Sequence, residues 1–402
     1  MIGRALLALA LFGALVPLPV AAQRASLYGT VYLDRNANGR RDPGEPGLGG
    51  VAVSDQRAVA VSDANGLYRL PDSDGSFSGL VFVSIPDGYA VVGSFFRAAP
   101  ATTITAVDFG LRSAPPARSF TFVHASDTHI APASRARTVR LRALVDSIKP
   151  DFVVITGDLV RDALRVGEAE ATGYFDLFVA EAALFHVPLW TVPGNHENFG
   201  IERDKSGVPT SNALYGRAMY RTRRGPDYYS FTRGGVHFVA LNSVDIDDTR
   251  YYGHVDSLQL AWLAADLAAI PASMPVVTFN HIPFFSAMEG VNGYTDAPPA
   301  PTLITVNGKT AFRHTVSNAR DVLARLAGHP YPLALAGHVH VREQLRLTGI
   351  ATRFDQVSAV VAPTPGPGNT FPSGITVYRV TSRTISDGVF VPLGLDSLPT
   401  RR

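Results

Sequence analysis

A layered α/β region preceded by a small all-β region is predicted by three features of this sequence. From Ser26 to about Arg112, short β-type runs are broken by Gly, Asn and Asp, with no helical periodicity. From Ser119 onward, strand-like and helix-like segments alternate. Apolar residues make up 46% and charged residues 17% of the 402, enough to bury a sizeable core and too apolar for a disordered chain.

Taken in order, Met1-Ile2-Gly3-Arg4 carries one positive charge, Ala5 to Val16 is apolar, and Val20-Ala21-Ala22 supplies small residues. That is the layout of a Sec-type signal peptide spanning 1–22, with a secreted or periplasmic destination. The alternative, a membrane anchor, is opposed by Pro17 and Pro19 and by a run short of the ~20 residues a span requires. Residues 23–113 then read as a β-sandwich with strands at Leu27–Leu33, Val51–Ser54, Val59–Ser62, Leu67–Leu70 and Gly79–Ile85. The spacing fits an antiparallel arrangement. Ser113-Ala114-Pro115-Pro116-Ala117-Arg118 reads as a linker, assigned to 114–118.

In 119–402, strands are expected at Phe120–Ala125, Phe152–Thr156, Leu189–Val192, Val276–Phe279 and Leu333–Ala336. Helices are expected at Arg135–Ile148, Glu168–Phe185, Ser257–Ile270 and Asn318–Leu326, and a hairpin around Gly234-Gly235. The tail from Ala351 to Leu393 returns to β-type runs that finish a sheet. Net charge is +2, so no global field draws the chain to nucleic acid or anionic lipid. No stable nucleic-acid complex is expected, and no membrane span after leader cleavage. There is no cysteine, which excludes disulfides and thiolate ligands. Any bound metal must be held by oxygen and imidazole nitrogen.

Five short motifs follow hydrophobic strands, at the loop ends where open α/β sheets place their sites. They are Asp127-Thr128-His129, Gly157-Asp158, Gly194-Asn195-His196-Glu197, Asn280-His281-Ile282-Pro283 and Gly337-His338-Val339-His340. Each offers an oxygen or imidazole donor suited to a first-row divalent metal. Singly, each also reads as a turn or a structural histidine. Jointly, in this order, they point to a metal site. His124, His186, His237 and His254 lack this setting and keep a structural reading.

The set resembles the calcineurin-like metallophosphoesterase superfamily. The resemblance implies a four-layer α/β/β/α sandwich with a binuclear centre at the strand ends. It implies one metal held by Asp127, His129, Asp158 and His340, and a second by Asp158, Asn195, His281 and His338. His196 would be the catalytic histidine beside the reacting phosphate. Purple acid phosphatases place a tyrosine three residues after the bridging aspartate, whereas here that position is Arg161. The block set instead looks like the phosphodiesterase branch, with Mn, Fe(II) or Zn as candidate metals. The expected function is hydrolysis of a small-molecule phosphodiester, of cyclic-nucleotide or other nucleotide type, by a metal-bridging hydroxide. A phosphomonoesterase, a nuclease and a silent surface-binding protein are the alternatives.

A second metal signal lies at Asp34-Arg35-Asn36-Ala37-Asn38-Gly39, continuing through Arg40 to Asp42 and Glu45. Donors at loop positions 1, 3, 5, 7, 9 and 12 with Gly at 6 match a calcium loop, and the flanks resemble β-sandwich repeats rather than helix–loop–helix sensors. An Asn/Gly-rich loop closed by Asx-turns is the other reading. Two long connections, Phe199 to Asp227 and Phe284 to Arg313, flank the metal motifs. The first holds Arg203, Lys205, Arg217, Arg221, Arg223 and Arg224, either to bind substrate or as a solvated basic surface.

Overall fold

In the computed structural model of this chain, residues 27–71, 78–99, 105–297, 301–366 and 368–396 are described. The apolar leader and the cleavage position at Ala22 lie outside them.

Two six-stranded sheets form the centre of the α/β region. The first runs Leu189–Val192, Phe152–Thr156, Ser119–Ala125, Gly374–Thr381, Thr384–Ile385, with Val389–Pro392 also on Gly374–Thr381. Its first three strands are parallel, and Gly374–Thr381 joins antiparallel. The second runs Tyr229–Arg233, Val236–Ala240, Val276–Phe279, Leu333–Ala336, Arg353–Gln356, Glu343–Arg346. Its four inner strands are parallel and its edges antiparallel. Phe152–Thr156, Val276–Phe279 and Leu333–Ala336 are buried at every position, which is why they read as continuous apolar runs without alternation. The tail thus completes both sheets rather than one.

Aromatic rings fill the space between the sheets. Phe122 stacks on Phe152 at 5.3 Å and on Tyr378 at 5.0 Å, and meets Phe238 edge-on at 5.5 Å. Such offset and edge contacts add about 0.5–1.5 kcal/mol per pair beyond burial. The Arg135–Ile148 and Glu168–Ala182 helices cover the outer face of the first sheet through Leu141, Val145, Phe175 and Phe178. The Ser257–Ala268 and Ala319–Leu326 helices cover the second through Trp262, Leu263, Val322 and Leu326. The result is a four-layer α/β/β/α sandwich. Helix ends follow local chemistry: Asp256 caps one by accepting from the Gln259 N–H, and Lys149, left-handed before Pro150, stops another.

Residues 27–113 hold nine strands in two sheets, with no helix among the described residues. The expectation of a purely antiparallel arrangement is corrected here. Leu27–Leu33 pairs parallel with Phe109–Ser113, because the chain crosses the other sheet before returning, giving the long connection a parallel pair needs. These sheets are also packed hard against the α/β layers. Phe82 meets Trp262 edge-on at 6.2 Å and Tyr229 at 6.5 Å, and Ser54 Oγ accepts from Trp262 Nε1 at 3.1 Å. Gln56, left-handed at φ 71°, donates to Asp227 Oδ1 at 3.1 Å and to the Tyr228 carbonyl at 3.0 Å. One continuous hydrophobic core therefore runs from Val31 and Phe82 to Phe279.

Phe82→Ala should cost about 3–5 kcal/mol, the usual range for emptying a buried aromatic site. Scanning calorimetry should show a single transition, shifted down as a whole. Two resolved transitions, with the upper one unmoved, would contradict the shared core.

Candidate metal centre

The five motif-bearing strands end at one edge of the sandwich, three in the first sheet and two in the second. Beyond each strand the backbone turns sharply. Asp127, His129, Asp158, His338 and His340 all have positive φ, at 54°, 37°, 49°, 73° and 61°. Asp and His tolerate this region better than most residues, yet each such turn costs on the order of 1–3 kcal/mol. Bonds between motifs hold the turns: His129 N donates to the Asp158 carbonyl at 2.9 Å, and Gly337 N to the His281 carbonyl at 3.0 Å. Gly194 is required because a Cβ there would lie 2.1 Å from Asp158 Oδ1.

The side chains converge as two groups. Asp127, His129, Asp158 and His340 form one, and Asp158, His281 and His338 the other, with donor atoms inside each within 4.8 Å of one another. Asp158 belongs to both. Its Oδ2 lies 3.5 Å from His129 Nε2 and 3.3 Å from His281 Nε2. Its Oδ1 is engaged by the His196 N–H at 3.0 Å. Asn195 Oδ1 stands 3.2 Å from His281 Nε2, which adds it to the second group. His196 lies beside both groups, with Nε2 3.9 Å from Asp158 Oδ2 and its ring edge-on to His129 at 4.7 Å.

The donor set fits cations. Asp127 Oδ1 is fully buried without an aligned hydrogen bond, although His340 Nε2 lies 3.1 Å away. His129 Nε2 and His340 Nε2 face each other at 3.3 Å, and His281 Nε2 and His338 Nδ1 at 3.1 Å. Facing ring nitrogens repel unless a proton or a metal lies against them. All-oxygen-and-nitrogen ligation suits first-row divalent ions.

In the metal-free protein, protons serve as the counter-charge. Burial pulls His281 down, but Asp158 outweighs it and pushes the ring up to about 9. Burial raises Asp158, but His281 and then His196 hold its carboxyl well below the usual range. Burial opposes a charge on His196 too, yet Asp158 and Asp162 leave it raised. His129 is pulled to about 4, first by burial.

Sequence reasoning assigned no role to Glu197, Asp162 or His314. Glu197 is fully buried, and its carboxylate accepts from the backbone N–H groups of Asp158, Val160 and Gly194 at 2.9, 3.0 and 2.6 Å. It thereby ties two motif loops together. Its place in the Gly194-Asn195-His196-Glu197 block was the available signal. Asp162 Oδ1 lies 3.5 Å from His196 Nδ1, an ion-pair contact without hydrogen-bond geometry. Arg161 points to solvent, so no side chain from that position enters the centre.

The basic connection is mostly consumed internally. Arg217 pairs with Asp245 and Asp256, Arg221 with buried Asp227, Arg223 with Asp176, Arg203 with Asp248 and Lys205 with Glu202. At Asp34–Glu45 the donors turn inward on their own loop. Asp34 accepts from the Asn38 and Gly39 N–H groups at 3.2 and 2.7 Å, Asn36 and Asn38 donate to Asp42 at 2.8 Å each, the Arg40 N–H donates to Asn38, and Glu45 accepts from Arg35 N and Asp42 N. Its carboxylates form no three-ligand group among the described residues.

The calcineurin-like phosphoesterase family model matches residues 120–342, more than half of the chain. The chain belongs to that family. Family membership and the two Asp/His groups together support a binuclear divalent metal site. The bovine (Bos taurus) serine/threonine-protein phosphatase CPPED1 is 34% identical over 140 residues, 34% of this chain and 41% of that protein. Purple acid phosphatase 23 of Arabidopsis thaliana is 34% identical over 165 residues, 40% of this chain and 30% of that protein. The chain thus spans about two fifths or less of these relatives. A dimetal phosphatase structure from Danio rerio aligns over 68% of this chain and 99% of its own, at 16% identity and a TM-score of 0.44.

Because His281 rises above its unfolded value, protonation stabilises the metal-free protein fully below about pH 6.5, and that stabilisation is lost toward about 9. A metal needs the bare ring, so the melting-temperature gain on adding Mn²⁺ should grow from pH 6.5 to 9. Thermal-shift curves with and without Mn²⁺ check this; a gain that shrinks across that window contradicts it.

Proposed function

We propose that this chain is an exported hydrolase of phosphoric esters that prefers diesters, with Asp127, His129, Asp158 and His340 as ligands of one divalent cation and Asp158, Asn195, His281 and His338 as ligands of the other. The single observation that carries this reading is the shared Oδ2 of Asp158, within 3.5 Å of a histidine from each group. When bound, the two cations neutralise the ester's charge and supply an activated water.

The chain's own residues do the rest. Asp158 places one negative charge between the cation positions and offsets their repulsion. His196 carries a proton on Nε2 at the mouth of the centre and gives it to the leaving oxygen. Asp162 faces the opposite ring nitrogen and keeps the imidazole turned that way. Glu197 holds the Asp158 and Gly194 loops at fixed spacing, so that Asp158 and Asn195 stay aligned. Mn, Fe(II) and Zn all suit this donor set.

The preference for diesters rests on the block set, with arginine at 161 where a tyrosinate-iron centre would need tyrosine, and histidine at 129 where such centres keep a non-histidine residue. A monoesterase is the second reading, favoured by the relatives' names as phosphatases. Residues 23–113 serve as a β module that buttresses 119–402 across the short connection at 114–118. The Asp34–Glu45 loop takes Ca²⁺ by releasing the Asn36, Asn38 and Asp42 side chains from their bonds within the loop and presenting their oxygens to the ion, a structural site of low affinity. Export rests on the leader sequence.

With Mn²⁺, the purified protein should cleave bis(p-nitrophenyl) phosphate faster than p-nitrophenyl phosphate. Asp158→Asn should lower kcat/KM by about 10³-fold through loss of the shared charge, and His196→Asn by about 10²–10⁴-fold. Unchanged turnover in Asp158→Asn would discard the mechanism, and a faster monoester would replace the substrate reading. Intact-mass measurement of the exported protein should find Gln23 at the N-terminus; a retained leader would remove the export proposal.

A further inference from the structure

His314 stands against the second ligand group, although no motif marks it. Its Nδ1 lies 2.8 Å from His338 Nε2, and the two rings meet edge to edge, with centroids 4.9 Å apart and 27° between their planes. On the other side, His338 Nδ1 faces His281 Nε2 at 3.1 Å. His281 Nδ1 lies 2.7 Å from the Thr156 carbonyl, which can only accept. His281 therefore carries a proton on Nδ1, and Nε2 is its ligand nitrogen. By the same count, His338 presents Nδ1 to a cation only if its own proton sits on Nε2. That proton points at His314 Nδ1.

The segment carrying His314 is pinned from both sides. Val316 N donates to the Pro283 carbonyl at 2.9 Å and Ser317 N to the Gly253 carbonyl at 2.8 Å. The Thr315 carbonyl would lie 2.1 Å from any Cβ at Gly253, so glycine is what lets this strap lie so close. The Arg313 guanidinium rests 4.3 Å over the Tyr251 ring, whose edge meets His338 at 6.0 Å. The acceptor is thus fixed in place by backbone bonds and a cation–π contact, independently of His338.

We propose that His314 is a positioning residue: its Nδ1 accepts the Nε2–H of His338 and fixes the tautomer and ring angle that aim His338 Nδ1 at the second cation position. Metal-ligating histidines usually donate this outer hydrogen bond to a carboxylate or a carbonyl. A neutral imidazole in that role adds no charge, so it orients the ligand without changing the site's electrostatic balance. The inference rests on His338 being a metal ligand.

The test is calorimetric titration of the metal-free protein with Mn²⁺, on wild type, His338→Ala, His314→Phe and His314→Asn. His338→Ala should lose one of two equivalents. His314→Phe keeps an aromatic ring without an acceptor and should weaken one site by about 10–100-fold, leaving the other unchanged. His314→Asn restores an oxygen near the Nδ1 position and should recover most of that loss. Equal loss in the Phe and Asn variants, or wild-type binding by His314→Phe while His338→Ala loses an equivalent, overturns the positioning role and leaves the ligand assignment standing. Two full equivalents in His338→Ala overturn both. Metal-free melting temperatures identify any His314 variant that fails to fold, and His314→Leu, which also lacks an acceptor, stands in for His314→Phe in that case.

Discussion

Two cations held about 3.5–4 Å apart repel strongly, and only an anion between them makes the pair tolerable. In this chain one carboxylate, shared by both Asp/His groups, is placed to meet that constraint. Asp158 Oδ2 faces a histidine from each group, while its Oδ1 is fixed by the His196 N–H. The rest of the architecture serves to keep this carboxylate in place. The strand Phe152–Thr156 lies between two parallel neighbours, buried on both faces, so its end cannot shift without disturbing the sheet. Glu197 then grips the backbone on both sides of the turn. A buried carboxylate spent on three backbone N–H groups is costly unless fully satisfied, and here each donor is short and within the same loop pair.

The strained backbone at the strand ends belongs to the same account. Five of the seven inferred ligands are left-handed, and that geometry folds their side chains back over the sheet edge toward a common point. Strain of this kind persists only where surroundings over-determine it. The β-rich N-terminal sheets contribute to that rigidity from the far side. Phe82, Ser54 and Gln56 lock onto Trp262 and Asp227, so the layer beneath the second sheet is continuous with them. Burying Asp227 beside Arg221 and Gln56 ties the two regions with polar bonds as well as apolar packing.

The electrostatics are local. With a net charge of +2 and most arginines of the Phe199–Asp227 connection already paired with aspartates, little basic surface is left over on it to draw in an anion. Under the proposed function, attraction for a phosphoester would come from the centre itself. In that reading, substrate selection rests on shape and on hydrogen bonds close to the two Asp/His groups, rather than on a long-range field.

How much was legible follows from how each feature is encoded. The strands Phe152–Thr156, Leu189–Val192, Val276–Phe279 and Leu333–Ala336, and the helix Arg135–Ile148, have the bounds that hydrophobic pattern predicts, since burial on one face or two leaves a direct trace in residue type. The side chains that gather at the sheet edge were legible as candidates because each follows such a strand within a short motif. The parallel pairing of Leu27–Leu33 with Phe109–Ser113 was not, because the direction of pairing between distant segments leaves no local mark. Nor was the pairing of the basic loop: an arginine next to solvent and one held by an aspartate 20 or more residues away look alike in sequence. Residue type and order alone determined the α/β fold class and which side chains were candidates for the site, because both are written in local periodicity and chemistry. Only the tertiary structure decided that Glu197 clamps the turns, that His314 meets His338 and that one core spans both regions, because those contacts join segments whose separation along the chain carries no information about their distance in space.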